Sequence, residues 1–94
     1  MKITLFAVRH GNKVYEFREP VEVKIYKTFP TYNIKCDEAD IYVWSFDMDS
    51  AWKYFAESLH FFWTNYVIYN ERTDDRGIQV KEKLQNLIIV REIA

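Results

Sequence analysis

Hydrophobic and polar residues alternate along the first half of the chain, and a period of two is typical of β-strands. Residues 2–8 form the first alternating segment, whose two faces would carry Ile3, Leu5 and Ala7 on one side and Thr4, Phe6 and Val8 on the other. Gly11 and Asn12 follow, and such a pair between two alternating segments predicts a β-hairpin. Residues 13–19 therefore return as a second strand.

Four further features continue this strand pattern. Pro20 has no backbone N–H to donate, so it predicts a break between strands. Residues 21–27 alternate most clearly, with Val21, Val23 and Ile25 facing inward. A turn around Pro30 precedes a short strand that ends near Cys36. Residues 41–46 are apolar on both faces, which predicts a central strand that is covered on both sides.

The period of the pattern changes from 2 to 3.6 after residue 47, which predicts a long helix from about Met48 to Tyr69. Asp47 or Asp49 can cap its start by accepting a hydrogen bond from a free backbone N–H. The apolar stripe of this helix, spaced at three and four residues, comprises Met48, Ala51, Trp52, Phe55, Leu59, Phe62, Trp63 and Tyr66.

A charged connector follows the long helix, with Gly77 as a helix breaker. Residues 78–94 then place Val80, Leu84 and Leu87 at helical spacing, so a second, shorter helix is predicted to close the chain. Strands followed by helices indicate an α+β fold. We therefore expect one domain over residues 1–94, an antiparallel sheet of three to five strands with the long helix packed on one face.

Composition and charge narrow the classes of function. Among the 94 residues, 49% are hydrophobic and 18% aromatic, enough for one well-filled core. The net charge of −1 argues against generic nucleic-acid binding, because proteins that neutralise phosphates are usually basic. A single cysteine excludes an intrachain disulfide, and no apolar segment reaches the ~20 residues needed to span a bilayer. We predict a cytoplasmic protein that does not bind membranes.

The residues that could carry chemistry are isolated in the sequence. Cys36 opens an acidic turn that ends at Asp40, where acidic neighbours raise rather than lower a thiol pKa, so a structural thiol is expected. His10 and His60 have no visible partner group, and the acidic pair at Asp74 and Asp75 is interpreted as a hydrophilic connector. The sequence therefore predicts no catalytic, metal-ligating or cofactor-binding residue and no cofactor, and we do not expect an enzyme.

The entry to the long helix resembles that of the HicB-like antitoxin family, which commonly reads Thr-x-Glu-Glu-Ala. Asp47 stands at the Thr position, Asp49 and Ser50 at the two Glu positions, and Ala51 at the Ala. The resemblance covers roughly residues 21 to 90. It implies a degenerate, partial RNase H-like fold without nuclease carboxylates. The implied role is to bind and neutralise a small toxin rather than to catalyse a reaction.

Two aromatic residues of the long helix are not explained by its apolar stripe. At about 100° per residue, Tyr54 and Phe61 point away from the stripe, and one sheet cannot cover both sides of a helix. Either the C-terminal helix covers Phe61 through Leu84, Leu87 or Ile88, or the two rings bind a partner. We expect a non-catalytic interaction domain whose partner is a small protein or a second copy of the chain. The alternative is a small homo-oligomeric domain that binds a small ligand.

Overall fold

The structure, a computed structural model, describes residues 1–69 and 74–93. It has the predicted α+β architecture, with an antiparallel sheet of five strands and helices on one of its faces. The elements in chain order are β1 (Lys2–His10), β2 (Lys13–Thr28), β3 (Thr31–Cys36), β4 (Ile41–Ser45), α1 (Met48–Phe62), a π-helical segment (Trp63–Ile68), α2 (Asp75–Leu87) and β5 (Ile88–Glu92).

The long strand β2 organises the sheet. It pairs with β1 along one edge, and its other edge is shared by two strands. Residues 13–17 of β2 pair with β5, residues 24–28 pair with β3, and β4 continues the sheet beyond β3. The turn between β1 and β2 is the predicted hairpin, where Gly11 has a φ of 61° that suits glycine best.

Pro20 does not break the strand, contrary to the prediction. The register between β1 and β2 shifts between Leu5 and Ala7, so Phe6 forms an irregularity opposite the middle of β2. Residues 18–20 have no registered partner on any neighbouring strand, so the missing N–H of Pro20 costs no ladder hydrogen bond. The same shift moves Ala7 outward and Val8 inward, which corrects the predicted faces of β1.

The core lies between the inner face of the sheet and α1. Val21, Val23 and Ile25 are buried as predicted, and Phe55 and Leu59 of α1 are fully buried against them. Asp47 caps α1 because its Oδ1 accepts a hydrogen bond from the Ser50 backbone N–H at 2.8 Å. The predicted orientation of the long helix is therefore confirmed, and its path continues through the π-helical segment to Ile68.

The C-terminal segment differs from the prediction. The second helix ends at Leu87, and residues Ile88–Glu92 form strand β5 on the edge of β2. Gly77 lies inside the first turn of α2 and does not interrupt it, since Asp74 caps that helix through the Gly77 N–H at 2.8 Å. Leu84 and Ile88 are buried in the core.

Strand β4 is also placed differently from the prediction. It is the last strand of the order β1-β2-β3-β4, so it lies at an edge of the sheet rather than at its centre. Helix α1 covers its inner face, but Tyr42 and Trp44 on its outer face are 52% and 51% exposed. The apolar residues on both faces of β4 therefore do not indicate cover on both sides.

Candidate functional site

The two residues that the sequence singled out for partner binding are exposed on α1. Tyr54 is 45% and Phe61 is 60% exposed, on the side of the helix away from the sheet. Helix α2 packs against the π-helical segment and the sheet rather than against this side of α1. The alternative in which the C-terminal helix covers Phe61 is therefore wrong.

Tyr54 and Phe61 line one open groove. Its volume is about 310 Å³, and the side chains between the two rings are Glu57 and Ser58, with Phe62 at the end of the groove. Phe61 and Phe62 pack edge to face, with ring centroids 6.0 Å apart. We call these five residues the α1 groove. It combines two exposed rings with one carboxylate, a combination suited to an apolar side chain beside a basic one.

A second aromatic surface lies on the uncovered face of the sheet. We call it the outer sheet patch, and its members are Tyr26, Tyr42, Trp44 and Phe46. Trp44 and Phe46 pack edge to face at 5.8 Å. The neighbouring Tyr26 hydroxyl is the main cause that raises the pKa of Tyr42. This surface was not predicted from the sequence, because the apolar residues on both faces of β4 indicate a strand at the centre of the sheet.

Asn33 supports the outer sheet patch from beneath. It is only 2% exposed, although it points to the uncovered face. Its Oδ1 accepts a hydrogen bond from the Tyr42 hydroxyl at 2.6 Å, and its Nδ2 donates to the backbone oxygen of Tyr26 at 3.3 Å. The same Nδ2 also donates to Thr31. Asn33 is therefore a satisfied buried amide that fixes the position of Tyr42.

His10 and His60 come together, although neither has a visible partner in the sequence. Their rings stack at 4.2 Å with an angle of 13°, and Nδ1 of His60 is hydrogen-bonded to the hydroxyl of the fully buried Tyr15. Burial is the first cause that lowers the pKa of His60, and His10 and Lys13 lower it further. Burial also raises the pKa of Tyr15, so its hydroxyl keeps its proton beside the imidazole of His60.

The remaining candidates for chemistry are distributed over the fold. Cys36 is fully buried, as a structural thiol should be, and burial raises its pKa, with a further rise from the charge of Glu38. Asp40 closes the acidic turn with a φ of 56°. Asp74 and Asp75 stand at the start of α2. Within residues 1–69 and 74–93, no group of three or more His, Cys, Asp or Glu side chains could hold a metal ion.

A cavity of about 350 Å³ separates the end of α1 from α2. Phe62 and Tyr66 supply its aromatic wall, and Arg76 and Lys83 of α2 supply two cations. Among the described lining residues Asp40 is the single acid, so this part of the lining is net positive.

No protein-family model, curated protein or solved structure matches this chain. The resemblance to HicB-like antitoxins stays a prediction from the residues at the helix entry. Among the described helices, none has both the length and the apolar character that crossing a lipid bilayer requires.

Proposed function

We propose that this chain is a non-catalytic interaction domain that binds a small partner protein through the α1 groove. The exposure of Tyr54 and Phe61 on a helix whose opposite side is buried carries this proposal. Aromatic side chains are enriched in the centres of protein interfaces, where their large rings exclude water around a few dominant contacts.

The charge of α1 specifies the chemistry of the partner. Asp47 and Asp49 stand at the start of the helix and Glu57 lies in the groove, whereas Lys53 is the only lysine between them. An acidic helix attracts a basic surface and speeds its encounter with that surface. We therefore propose a small basic protein that inserts an apolar side chain between the two rings. The HicB-like resemblance would make this partner a toxin.

The rigid presentation of the groove supports this role. Phe55 and Leu59 are fully buried in the core, so they hold α1 on the sheet while Tyr54 and Phe61 on its other side stay exposed. A binding surface that is already ordered loses less conformational entropy when a partner docks.

The experiment compares the proteins that this chain captures from the cell in which its gene occurs. The immobilised wild-type chain is compared with Tyr54→Ser/Phe61→Lys and with a control, Phe46→Ser, that removes an exposed ring from the other surface. We expect one small basic protein to bind the wild type and the control but not the double variant. The purified pair, measured by calorimetry, should lose at least about tenfold in affinity in the double variant, or about 1.4 kcal/mol.

Equal capture of every small basic protein by the wild type and the double variant would refute the proposal. Thermal melting separates a true loss of binding in the double variant from misfolding, because both substituted residues are exposed and should leave the melting temperature close to that of the wild type.

The cavity between α1 and α2 favours a second function, the binding of a small ligand. Its size suits a small molecule, and its lining favours a ligand with an aromatic ring and one negative group that meets Arg76 and Lys83. Benzoate and phenyl phosphate are suitable probes in a thermal-shift assay. Stabilisation that Lys83→Gln removes would support this function, and no shift with either probe at millimolar concentration would count against it.

A further inference from the structure

Within residues 1–69 and 74–93, the sheet has three open edges, and they differ in how they are protected. Exposed strand edges in native proteins usually carry charges, prolines or bulges that prevent pairing with another chain. Strand β1 has Lys2, Arg9 and the irregularity at Phe6, and β5 has Arg91 and Glu92. Strand β4, with the sequence IYVWS, has no charged residue, no proline and an unbroken register with β3.

We propose that β4 pairs with β4 of a second copy of this chain. The pairing is antiparallel, and a two-fold axis perpendicular to the sheet passes beside Val43. Such an axis joins the two five-stranded sheets into one and keeps both α1 helices on the same inner face. This inference does not depend on the α1 groove, which lies on another side of the molecule.

The sequence of β4 is complementary to itself in this register. Val43 faces the second copy's Val43, and Tyr42 faces the second copy's Trp44. Symmetry repeats the Tyr–Trp pair, so four rings line the outer face across the new contact. Aromatic pairs directly opposite each other on adjacent strands stabilise a sheet. Both rings are about half exposed in the single chain, at 52% and 51%, so each has surface left to bury.

Charge favours a second copy over a nucleic acid on this surface. The outer face has stacking rings and a cross-strand row of three lysines, Lys2, Lys24 and Lys35. Two of the three have an acidic partner, since Lys35 pairs with Asp37 and Lys2 pairs with Glu22, each at 3.6 Å. The chain as a whole carries a net charge of −1. Two uncharged strands, by contrast, approach each other without like-charge repulsion.

The size of the contact predicts a reversible dimer. A strand of five residues with two rings buries less than the roughly 1,200 Å² of a standard stable interface. The mass measured by light scattering should therefore rise with concentration from 11.4 kDa toward twice that value.

The first experiment compares two aromatic-to-lysine changes. Trp44→Lys places a cation in the ring row and removes both symmetry-related Tyr–Trp pairs, so association should weaken by about tenfold or more. Phe61→Lys makes the same change in the α1 groove and should leave the dimerisation constant unchanged. Circular dichroism and thermal melting check that both variants fold, which is expected because both positions are exposed.

The second experiment tests the register. Val43→Cys places two thiols directly opposite each other at the two-fold axis, where facing Cβ atoms lie about 4.5–5.5 Å apart and a small shift of the strands brings them into disulfide range. Mild oxidation should give a covalent dimer on a non-reducing gel. Thr4→Cys on the exposed side of β1 and the wild type, whose Cys36 is buried, should remain monomeric on the same gel.

Three results would overturn the proposal. The first is a wild-type chain that stays at the monomer mass up to millimolar concentration. The second is a dimer that Phe61→Lys weakens and Trp44→Lys does not, or that Val43→Cys fails to cross-link. The third is a monomer that binds a labelled single-stranded oligonucleotide and releases it after Trp44→Lys, which would assign the outer sheet patch to nucleic acid.

Discussion

Phe55 and Phe61 provide a matched test of how α1 packs, because they are the same residue type, six positions apart on one helix. Phe55 is fully buried and packs edge to face on Trp52, with ring centroids 5.7 Å apart. Replacing a buried Phe with Ala removes its transfer free energy and leaves a cavity, at a cost of about 3–5 kcal/mol. The lost ring pair accounts for about 0.5–1.5 kcal/mol of that cost.

The same change at Phe61 should cost much less. Phe61 is 60% exposed, so Phe61→Ala removes little buried area and opens no cavity. We expect a loss of at most about 1 kcal/mol. In a domain of this size each kcal/mol shifts the melting temperature by about 4–8 °C, so the two variants should melt at clearly different temperatures.

Urea denaturation gives both free energies of unfolding on the same scale, provided that the slope with denaturant is equal in the two variants. The measurement is made at a concentration at which the chain is monomeric, because self-association would add to the apparent stability. Equal losses for Phe55→Ala and Phe61→Ala would show that Phe61 is covered. The surface assigned to partner binding would then be part of the core.

Three further changes test separate parts of the fold. Burial and the neighbouring His10 hold the pKa of His60 below its usual 6.5, so as the pH falls the unfolded chain binds a proton before the folded chain does. The free energy of unfolding should therefore be highest above about pH 6.5 and fall as the pH drops below it. Urea denaturation should show a weaker dependence on pH in His60→Phe. An unchanged pH slope in that variant would contradict the assignment. Thr64→Val should leave the free energy of unfolding unchanged or raise it by up to about 1 kcal/mol, because the buried Thr64 hydroxyl has no hydrogen-bond partner among the described residues. A lower melting temperature would show that this hydroxyl has a partner. Asn33→Ala should cost about 1–2 kcal/mol in urea denaturation through the lost hydrogen bonds, and Tyr42→Phe, which removes only one of them, should cost less.

The sequence predicts well those elements whose environment is uniform along their length. Val21, Val23 and Ile25 alternate because one face of β2 is buried in the core and the other meets solvent over that whole segment. The stripe of α1 is equally regular, since one side of the helix packs along a single sheet. In both cases one periodic pattern matches one continuous contact surface.

The C-terminal segment shows where periodicity fails. The helical spacing of Val80, Leu84 and Leu87 continues by chance to Val90, so it gives no sign that α2 ends. The consecutive β-branched residues Ile88, Ile89 and Val90 favour a strand, and that local signal could have corrected the prediction. Residues 13–17 of β2 then stabilise the strand, because their free edge supplies backbone hydrogen-bond partners for residues 88–92 from far along the chain.

Contacts between distant segments were not predictable at all. His10 and His60 are separated by fifty positions, and they stack only because the β1–β2 hairpin and the end of α1 meet above Tyr15. The claim that neither histidine has a partner group followed correctly from their sequence neighbours and is wrong in three dimensions. Single substitutions at these positions should therefore be interpreted through the cluster that they share.

Strand β4 shows why an apolar pattern cannot distinguish a buried centre from an unprotected edge. Both have large apolar side chains on two faces, and the pattern does not tell what covers the second face. In the described part of the chain α1 and α2 both lie on the inner side of the sheet, so Tyr42 and Trp44 remain open to solvent. An exposed ring pair beside an unpaired strand edge costs the single chain solubility. In the dimer that we propose, a second copy of β4 would remove that cost by covering the edge and the rings in one contact, so association would account for the aromatic residues on the outer face of this strand, which the core does not cover.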